Sequence, residues 1–229
     1  MRTAVLLPAL NEATSLPLVL QDLRPYERAQ SVHRVLVVDN GSSDGTPDIA
    51  RQMGVEVITE PRRGYGSACL AGLEYLRDDP PQILVILDAD HSDDVTDLPK
   101  LLEPILSGQA DMVLGERTTL ADPGALLPNQ RMGNALATRL IHLHTGHRYR
   151  DMGPFRALRW EALEALQMED AAFGWNVEMQ MKAIQRGLRV QEVPVRYRKR
   201  VGHSKISGTV KGTLKAGAHI LRATWRYRA

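Results

Sequence analysis

Residues 83–90 read Ile-Leu-Val-Ile-Leu-Asp-Ala-Asp, five apolar side chains and then two carboxylates two positions apart. The apolar run is short and rich in β-branched residues, which predicts a buried strand. Four more such runs stand at Thr3 to Leu7 (TAVLL), Arg34 to Val38 (RVLVV), Val55 to Ile58 (VEVI) and Asp111 to Leu114 (DMVL). Helical patterns fall near 16–30, 46–53, 66–77 and 97–107. Thr46-Pro47-Asp48 reads as a helix start, with Thr46 as N-cap, Pro47 at the first helical position and an acid after it. This alternation predicts the α/β class, a mostly parallel central sheet with helices on both faces. In such sheets ligands collect outside the carboxyl ends of the strands.

Beyond residue 115 the pattern is less regular. Residues 118–128 hold Pro123, Gly124 and Pro128 and are predicted as a loop. A helix over 129–145, a strand at 154–158, a helix over 175–187, a strand at 189–196 and a closing loop and helix from about 209 follow. The expectation is one domain over 1–229. Its parts are a nucleotide-binding half at 1–115, an acceptor-side half at 116–208 and a basic amphipathic helix at 209–229.

The chain has 229 residues, 43% hydrophobic and 24% charged, as an ordinary globular protein has. Its one cysteine, Cys69, excludes an intrachain disulfide and points to a reducing cytoplasm. The opening run stops at Pro8 and soon meets Glu12, so it makes a poor signal peptide. No window reaches the ~18 apolar residues of a membrane span. The expected location is cytoplasmic, with peripheral attachment at the inner face of the membrane left open.

The net charge of +2 hides an asymmetry. Residues 193–229 contain ten Lys or Arg and no acid, so the rest of the chain carries 19 basic against 27 acidic groups. A basic end on an acidic body suits an anionic partner: a phosphorylated substrate, a lipid surface or nucleic acid. A solvated basic face is the plain alternative. Nucleic acid rests on the basic tail alone and is not an expected partner.

Three acidic features follow predicted strands: Asn11-Glu12 after Pro8, Asp39-Asn40-Gly41-Ser42-Ser43-Asp44-Gly45-Thr46, and Asp88-Ala89-Asp90. One Asp after a strand is commonly a turn residue. Two carboxylates two apart can instead share one hard cation in an oxygen-rich shell. Such a cation can hold a diphosphate and neutralise its charge as it leaves.

Pro8…Asn11-Glu12, VVDNGSSDGT and LDAD stand in an order and spacing that resemble glycosyltransferase family 2 proteins of the GT-A, Rossmann-like fold. Leu114-Gly115-Glu116-Arg117, Asp151 to Arg156 (DMGPFR) and Gly202-His203-Ser204-Lys205 are similar to the dolichol-phosphate mannosyltransferase branch. The resemblance covers the chain to about residue 208. It implies that Pro8, Glu12 and Asp39 line the nucleoside pocket, and that Asp88, Ala89 and Asp90 meet the donor diphosphate. Asp88 and Asp90 would bind Mg²⁺ or Mn²⁺. Many relatives have Gln two residues after the second Asp; Ser92 stands here. That leaves the third protein ligand open.

Arg117, Arg131, Arg198, Arg200, His203, Ser204 and Lys205 are candidate phosphate contacts, since a guanidinium fork fits phosphate and Lys supplies a point charge. Arg200, Ser204 and Lys205 are assigned to the donor. Arg117, Arg131, Arg156 and Trp175 are assigned to the acceptor. The segment 196–205 is expected to act as a lid that excludes water. Gly64-Tyr65-Gly66-Ser67-Ala68 opens a predicted helix and reads either as a backbone approach to the donor at Gly64 or as a plain helix start. Glu178 reads equally as a base near the acceptor and as a helix-start acid favoured by the macrodipole. Asp151 is a second acceptor-side candidate beside a turn reading. The catalytic set expected is therefore Asp90, Glu178, Asp151 and Arg117.

The reaction implied is inverting transfer of a hexose from a nucleoside diphosphate sugar, GDP-mannose or UDP-glucose, to a polyprenyl phosphate. A soluble or lipid hydroxyl acceptor is the alternative, and it would need a base. Lys211, Lys215, His219, Arg222 and Arg226 recur at helical steps, so the last helix could rest on an anionic membrane or pack with a wet basic face. Two other classes compete. A nucleotidyltransferase would carry a glycine-rich basic loop where this chain has PALNE, and a non-catalytic nucleotide- or lipid-binding module would not need an intact Asp88-Ala89-Asp90.

Overall fold

The computed structural model describes residues 1–202 and 210–228, the side chains of 210–216 and 219 excepted. One seven-stranded sheet forms the centre. Its strands are β1 (Thr3–Ala9), β2 (Arg34–Asp39), β3 (Glu56–Thr59), β4 (Ile83–Ile86), β5 (Met112–Ala121), β6 (Arg156–Arg159) and β7 (Val190–Tyr197), in the order β3-β2-β1-β4-β6-β5-β7. The first four in that order run parallel, β6 is antiparallel to both its neighbours, and β7 lies parallel to β5.

Alternation along the strands sets the two layers, because successive side chains point to opposite faces. Val5, Leu7, Val35, Val37, Ile83 and Val85 pack with α1 (Leu16–Arg28), through Leu16, Val19, Leu20 and Leu23, and with α4 (Leu98–Leu106). Ala4, Leu6, Leu36, Val38, Leu84 and Ile86 face the other way. They pack with α3 (Tyr65–Leu76), α6 (Trp160–Leu166) and α7 (Trp175–Gln185). Each fully buried Leu or Val contributes about 1.5–3 kcal/mol. The helix α2 (Thr46–Gln52) follows β2. The last helix, α8 (Val210–Arg226), packs against α7 and against α5 (Pro128–Thr145).

Helices thus cover both faces, as the sequence predicts, with local differences. The cap of α2 is Gly45, at φ +82°, and Thr46 is already helical. Its hydroxyl instead accepts from Glu12 N at 2.8 Å, tying the loop after β1 to the loop after β2. Strand β5 continues through 118–121, read above as loop, because Leu120 and Ala121 pair with Arg196 and Tyr197 beyond an irregularity after Glu116. Helix α6 was not predicted; it begins at the residue after β6 ends, too soon for a separate period to show.

The reversal at β6 has one geometric result. The carboxyl ends of β1, β2, β4, β5 and β7 and the amino end of β6 all reach the same edge of the sheet. The opposite edge is closed by ion pairs. Arg2 and Arg34 reach Asp79 at 2.7 and 3.6 Å, and Arg189 and Arg159 reach Asp111 at 2.7 and 3.7 Å. Among the described residues no helix is long and apolar enough to cross a membrane.

Candidate active site

At the shared edge a cleft of about 570 Å³ opens. Pro8, Ala9, Leu10 and Glu12 form one side with Asn40, Arg63, Gly64 and Tyr65. Asp88, Ala89 and Asp90 stand in the middle with Arg117, Tyr197 and Arg200. Gln130, Met152, Pro154, Phe173 and Asn176 complete the wall.

The central acids are held unequally. Asp90 is buried; its Oδ1 accepts from Ser92 N at 2.9 Å and from the Ser92 hydroxyl, and its Oδ2 lies 3.3 Å from Arg200 Nη2. The same guanidinium reaches Glu12 Oε1 at 3.2 Å. Asp88 Oδ1 is enclosed, with no hydrogen-bond partner among the described residues. Burial, and next the charge of Asp90, pushes the Asp88 carboxyl up to about 7. Asp93, 1% exposed, is raised as well, by burial first and then by Asp88. Like charges at short range in a poorly solvated place favour the proton. The chain turns sharply here: His91 sits at φ +61°, a left-handed conformation that costs a non-glycine residue about 1–3 kcal/mol.

The strand end of β7 is fastened to this turn. Arg198 N donates to Ser92 O at 2.7 Å and Val201 N to Asp90 O at 3.0 Å. Three alternate arginines each take two acids: Arg196 at Asp94 and Asp97, Arg198 at Asp94 and Asp22, Arg200 at Asp90 and Glu12. Ser92, open as a third ligand on sequence, points at Asp90 and is fully buried.

Arg117 and Asp151 form a two-pronged buried pair, Nε to Oδ2 at 2.7 Å and Nη2 to Oδ1 at 2.8 Å, with Arg117 N on Oδ2 at 2.9 Å. Burial, the largest single effect, would raise the Asp151 carboxyl, but the Arg117 charge and the hydrogen bonds from Arg117 and from Met152 N together outweigh it and hold it below the usual range. The guanidinium also lies 4.9 Å from the centre of the Tyr197 ring. Gly153 makes room for the pair: a Cβ there would stand 2.6 Å from Gly115 O and 3.1 Å from Arg117 Nε.

Of the residues singled out in the sequence, Pro8, Glu12, Gly64, Asp88, Ala89, Asp90, Arg117 and Arg200 line the cleft. Asp39 does not. It is buried and accepts from Gly41 N and Ser42 N, so it shapes the loop behind the wall. Asp151 acts through Arg117. Glu178 is fully buried away from the cleft, accepting from Glu169 N and Asp170 N at 2.8 Å each and from Lys182 Nζ at 2.6 Å. Arg156 is fully buried, its guanidinium on Gly153 O and Pro154 O, and Trp175 has no exposed surface. Arg131 is exposed on α5, and its Nε reaches Leu126 O at 3.4 Å. His203, Ser204 and Lys205 lie outside the described residues.

Several wall residues escaped the sequence reading. Asn40 holds the 60–64 loop, donating to Glu60 O and Arg62 O and accepting from Gly64 N at 2.8 Å. Phe173 and Asn176 flank Trp175, and their outward direction has no sequence signal. Gly66 N donates to Ala172 O at 3.2 Å and Ser67 N to Ala171 O at 2.9 Å, fixing the start of α3 to the 171–173 loop. A Cβ on Gly66 would collide with Asp170 O and stand 2.8 Å from the Ala171 carbonyl carbon. The glycine is there for close approach of two backbones.

The glycosyl transferase family 2 model matches residues 4–166. An uncharacterized glycosyltransferase of Mycobacterium tuberculosis (strain ATCC 25618 / H37Rv) is 40% identical, with 93% of each chain covered. The undecaprenyl-phosphate mannosyltransferase of Micrococcus luteus is 33% identical over 93% of this chain and 90% of its own. The polyprenol monophosphomannose synthase of Mycolicibacterium smegmatis is 30% identical over 91% and 82%. Among solved structures, glucosyl-3-phosphoglycerate synthase from Mycobacterium tuberculosis, in complex with Mn²⁺, uridine diphosphate and phosphoglyceric acid, superposes with a TM-score of 0.79. It is 19% identical over 99% of this chain and 78% of that one. That likeness carries the fold, which is GT-A. With the strand-end cleft, the paired acids after β4 and the family match over most of its length, the chain belongs to glycosyltransferase family 2.

Proposed function

We propose that this enzyme moves a hexose from GDP-mannose or UDP-glucose to a polyprenyl phosphate. One observation carries the acceptor choice. Among the described residues, the carboxylates lining the cleft are Glu12, Asp88 and Asp90; Arg200 reaches Glu12 and Asp90, and Asp88 and Asp90 suit the donor's cation. The rest of the wall, with Gln130, Met152, Pro154, Phe173 and Asn176, offers no carboxylate to deprotonate a hydroxyl. A phosphate monoester, with its second pKa at about 6, is already ionised and needs orientation rather than a base. Polyprenyl-phosphate sugar transferases among the relatives support the same choice.

The donor's nucleoside lies along Pro8, Ala9 and Asn40, and its diphosphate at Asp88, Asp90 and Arg200. Asp88 and Asp90 fit Mg²⁺ or Mn²⁺: an enclosed oxygen without a partner and a carboxyl pushed up by a neighbouring charge are both relieved by a cation. No third His, Cys, Asp or Glu among the described residues completes a cage, which leaves positions for the diphosphate and water. The cation, when bound, neutralises the departing diphosphate.

The acceptor phosphate oxygen attacks the anomeric carbon as the bond to the donor's β-phosphate oxygen breaks, inverting that carbon. Arg117, held rigid by Asp151, orients the acceptor's phosphate, and Arg200 stabilises charge on the leaving nucleoside diphosphate. Ser92 keeps Asp90 turned to the cleft.

The test is transfer from radiolabelled GDP-mannose and UDP-glucose to undecaprenyl phosphate in detergent with Mn²⁺. A labelled lipid that releases its sugar under mild acid supports the reading. Transfer confined to hydroxyl acceptors overturns it.

A further inference from the structure

We propose that the outer faces of α5 and α8 form one surface that docks on an anionic phospholipid bilayer. Met132, Leu136 and Leu143 on α5 are 73%, 41% and 75% exposed. Leu221 and Trp225 on α8 are 52% and 65% exposed. On each helix these residues fall at steps of four or seven and share a face. The two helices pack on one another.

The charged residues of these two helices are all basic. Arg131 and Arg139 stand on the exposed face of α5, and Arg222, Arg226 and Arg228 stand at the end of α8. Arg228 lies over the Trp225 ring at 3.1 Å, and Arg226 pairs with Glu169 at 3.3 Å. Residues 123–150 and 193–229 together hold 14 of the chain's 29 Lys and Arg and none of its 27 acids, so the remainder carries 15 basic against 27 acidic groups. An apolar face flanked by cations is what an interfacial helix presents to anionic lipid, with Trp at the headgroup level. A second copy packed face to face would set these cations against their own kind.

The surface begins at the mouth of the cleft. Gln130, in the first turn of α5, lines the cavity. Asn134, one turn on, accepts from Met152 N at 2.8 Å, and Met152 also lines the cavity. Docking through this face would hold the cleft at the bilayer surface, where a lipid phosphate presents its headgroup. That placement rests on the acceptor reading above; the docking itself does not.

Flotation of the full chain with vesicles tests the proposal. Vesicles of phosphatidylcholine alone are compared with vesicles that also contain phosphatidylglycerol, at low and high salt. The expected result is flotation with the anionic vesicles only, weakened by salt and by about fivefold for each exposed basic residue neutralised, Arg139→Gln and Arg222→Gln among them. Leu143→Glu and Trp225→Ala should each weaken it by about tenfold with unchanged circular dichroism. Bromine-labelled lipid should quench Trp225. No flotation, equal flotation with both vesicles, or a lipid-free dimer abolished by Leu143→Glu would overturn the proposal. Turnover of detergent-dispersed polyprenyl phosphate separates the two readings. Turnover without flotation removes the docking and keeps the acceptor. Flotation without turnover does the reverse.

Discussion

Arg200 stands 3.3 Å from Asp90, on the carboxylate oxygen that Ser92 leaves open. A guanidinium thus faces the position where a donor's cation and diphosphate would come together. On donor entry Arg200 can pass from carboxylate to phosphate with its charge still paired. Arg200→Ala removes that contact. Calorimetric titration with GDP and UDP in Mn²⁺ should show affinity for the preferred nucleotide reduced by about tenfold to a hundredfold. Unchanged affinity would place Arg200 outside the donor site.

Asp88 gives a prediction about pH. Its carboxyl is raised from 3.8 to about 7, so the folded metal-free protein binds a proton more tightly than the unfolded chain does. The stability this contributes is complete below about pH 4 and is lost as pH rises through 7. Replacing the acid by its amide removes that loss. Asp88→Asn should therefore melt higher than the parent at about pH 8 without metal, while the two converge at about pH 4. Mn²⁺ should raise the parent's melting temperature at the higher pH and leave the variant unmoved, and metal-dependent turnover should disappear. A variant that melts lower at every pH would contradict the burial argument.

Glu178 separates a brace from a base. It accepts two backbone N–H groups and Lys182 with no exposed surface. Glu178→Gln should cost about 1–3 kcal/mol in denaturant unfolding, since an amide cannot satisfy all three donors. Turnover per folded molecule and its pH profile should be retained. Loss of turnover in a stable variant, with a flattened acidic limb, would make Glu178 the base.

Asp151→Asn leaves Arg117 buried without its counter-charge. The expected loss is about 3–5 kcal/mol of stability. Replacing both partners by apolar residues of similar volume should restore part of the stability and none of the turnover. Restored turnover would show that Arg117 only supports the fold.

Gly66→Ala tests the join between α3 and the 171–173 loop. The added methyl collides with the Asp170 carbonyl, so either α3 or the loop must move. A loss of about 1–3 kcal/mol and a weaker acceptor KM are expected. A neutral effect on both would show that the backbone there gives way freely.

The layers were legible in the sequence because the strands read as unbroken apolar runs. Ala4 and Leu6 face one way and Val5 and Leu7 the other, and a strand covered on both faces carries apolar side chains at successive positions. The paired acids of the cleft were legible because two carboxylates two apart past a buried strand suit one shared cation, whereas a single one, as at Asp39, serves its turn. Depth was not legible. Arg156 and Trp175 carry the right chemistry for an acceptor site, yet both are wholly enclosed. Asn40 and Gly66 stood inside motifs the sequence marks, but their partners did not show, because their work is to meet the backbone of loops 20 or more residues away. Strand β5 overran its predicted end for a similar reason: the partner of 120–121 is 76 positions further along the chain.

The edge of the sheet opposite the cleft carries its own consequence. Arg2, Arg34, Asp79, Asp111, Arg159 and Arg189 fasten the strands there to one another and to the turns beside them. None of them touches the cleft. That side is therefore the place to fix this enzyme to a bead or a sensor chip, or to attach a fluorophore. A tether there leaves the mouth of the cleft, and the face beside it, turned towards whatever flows past.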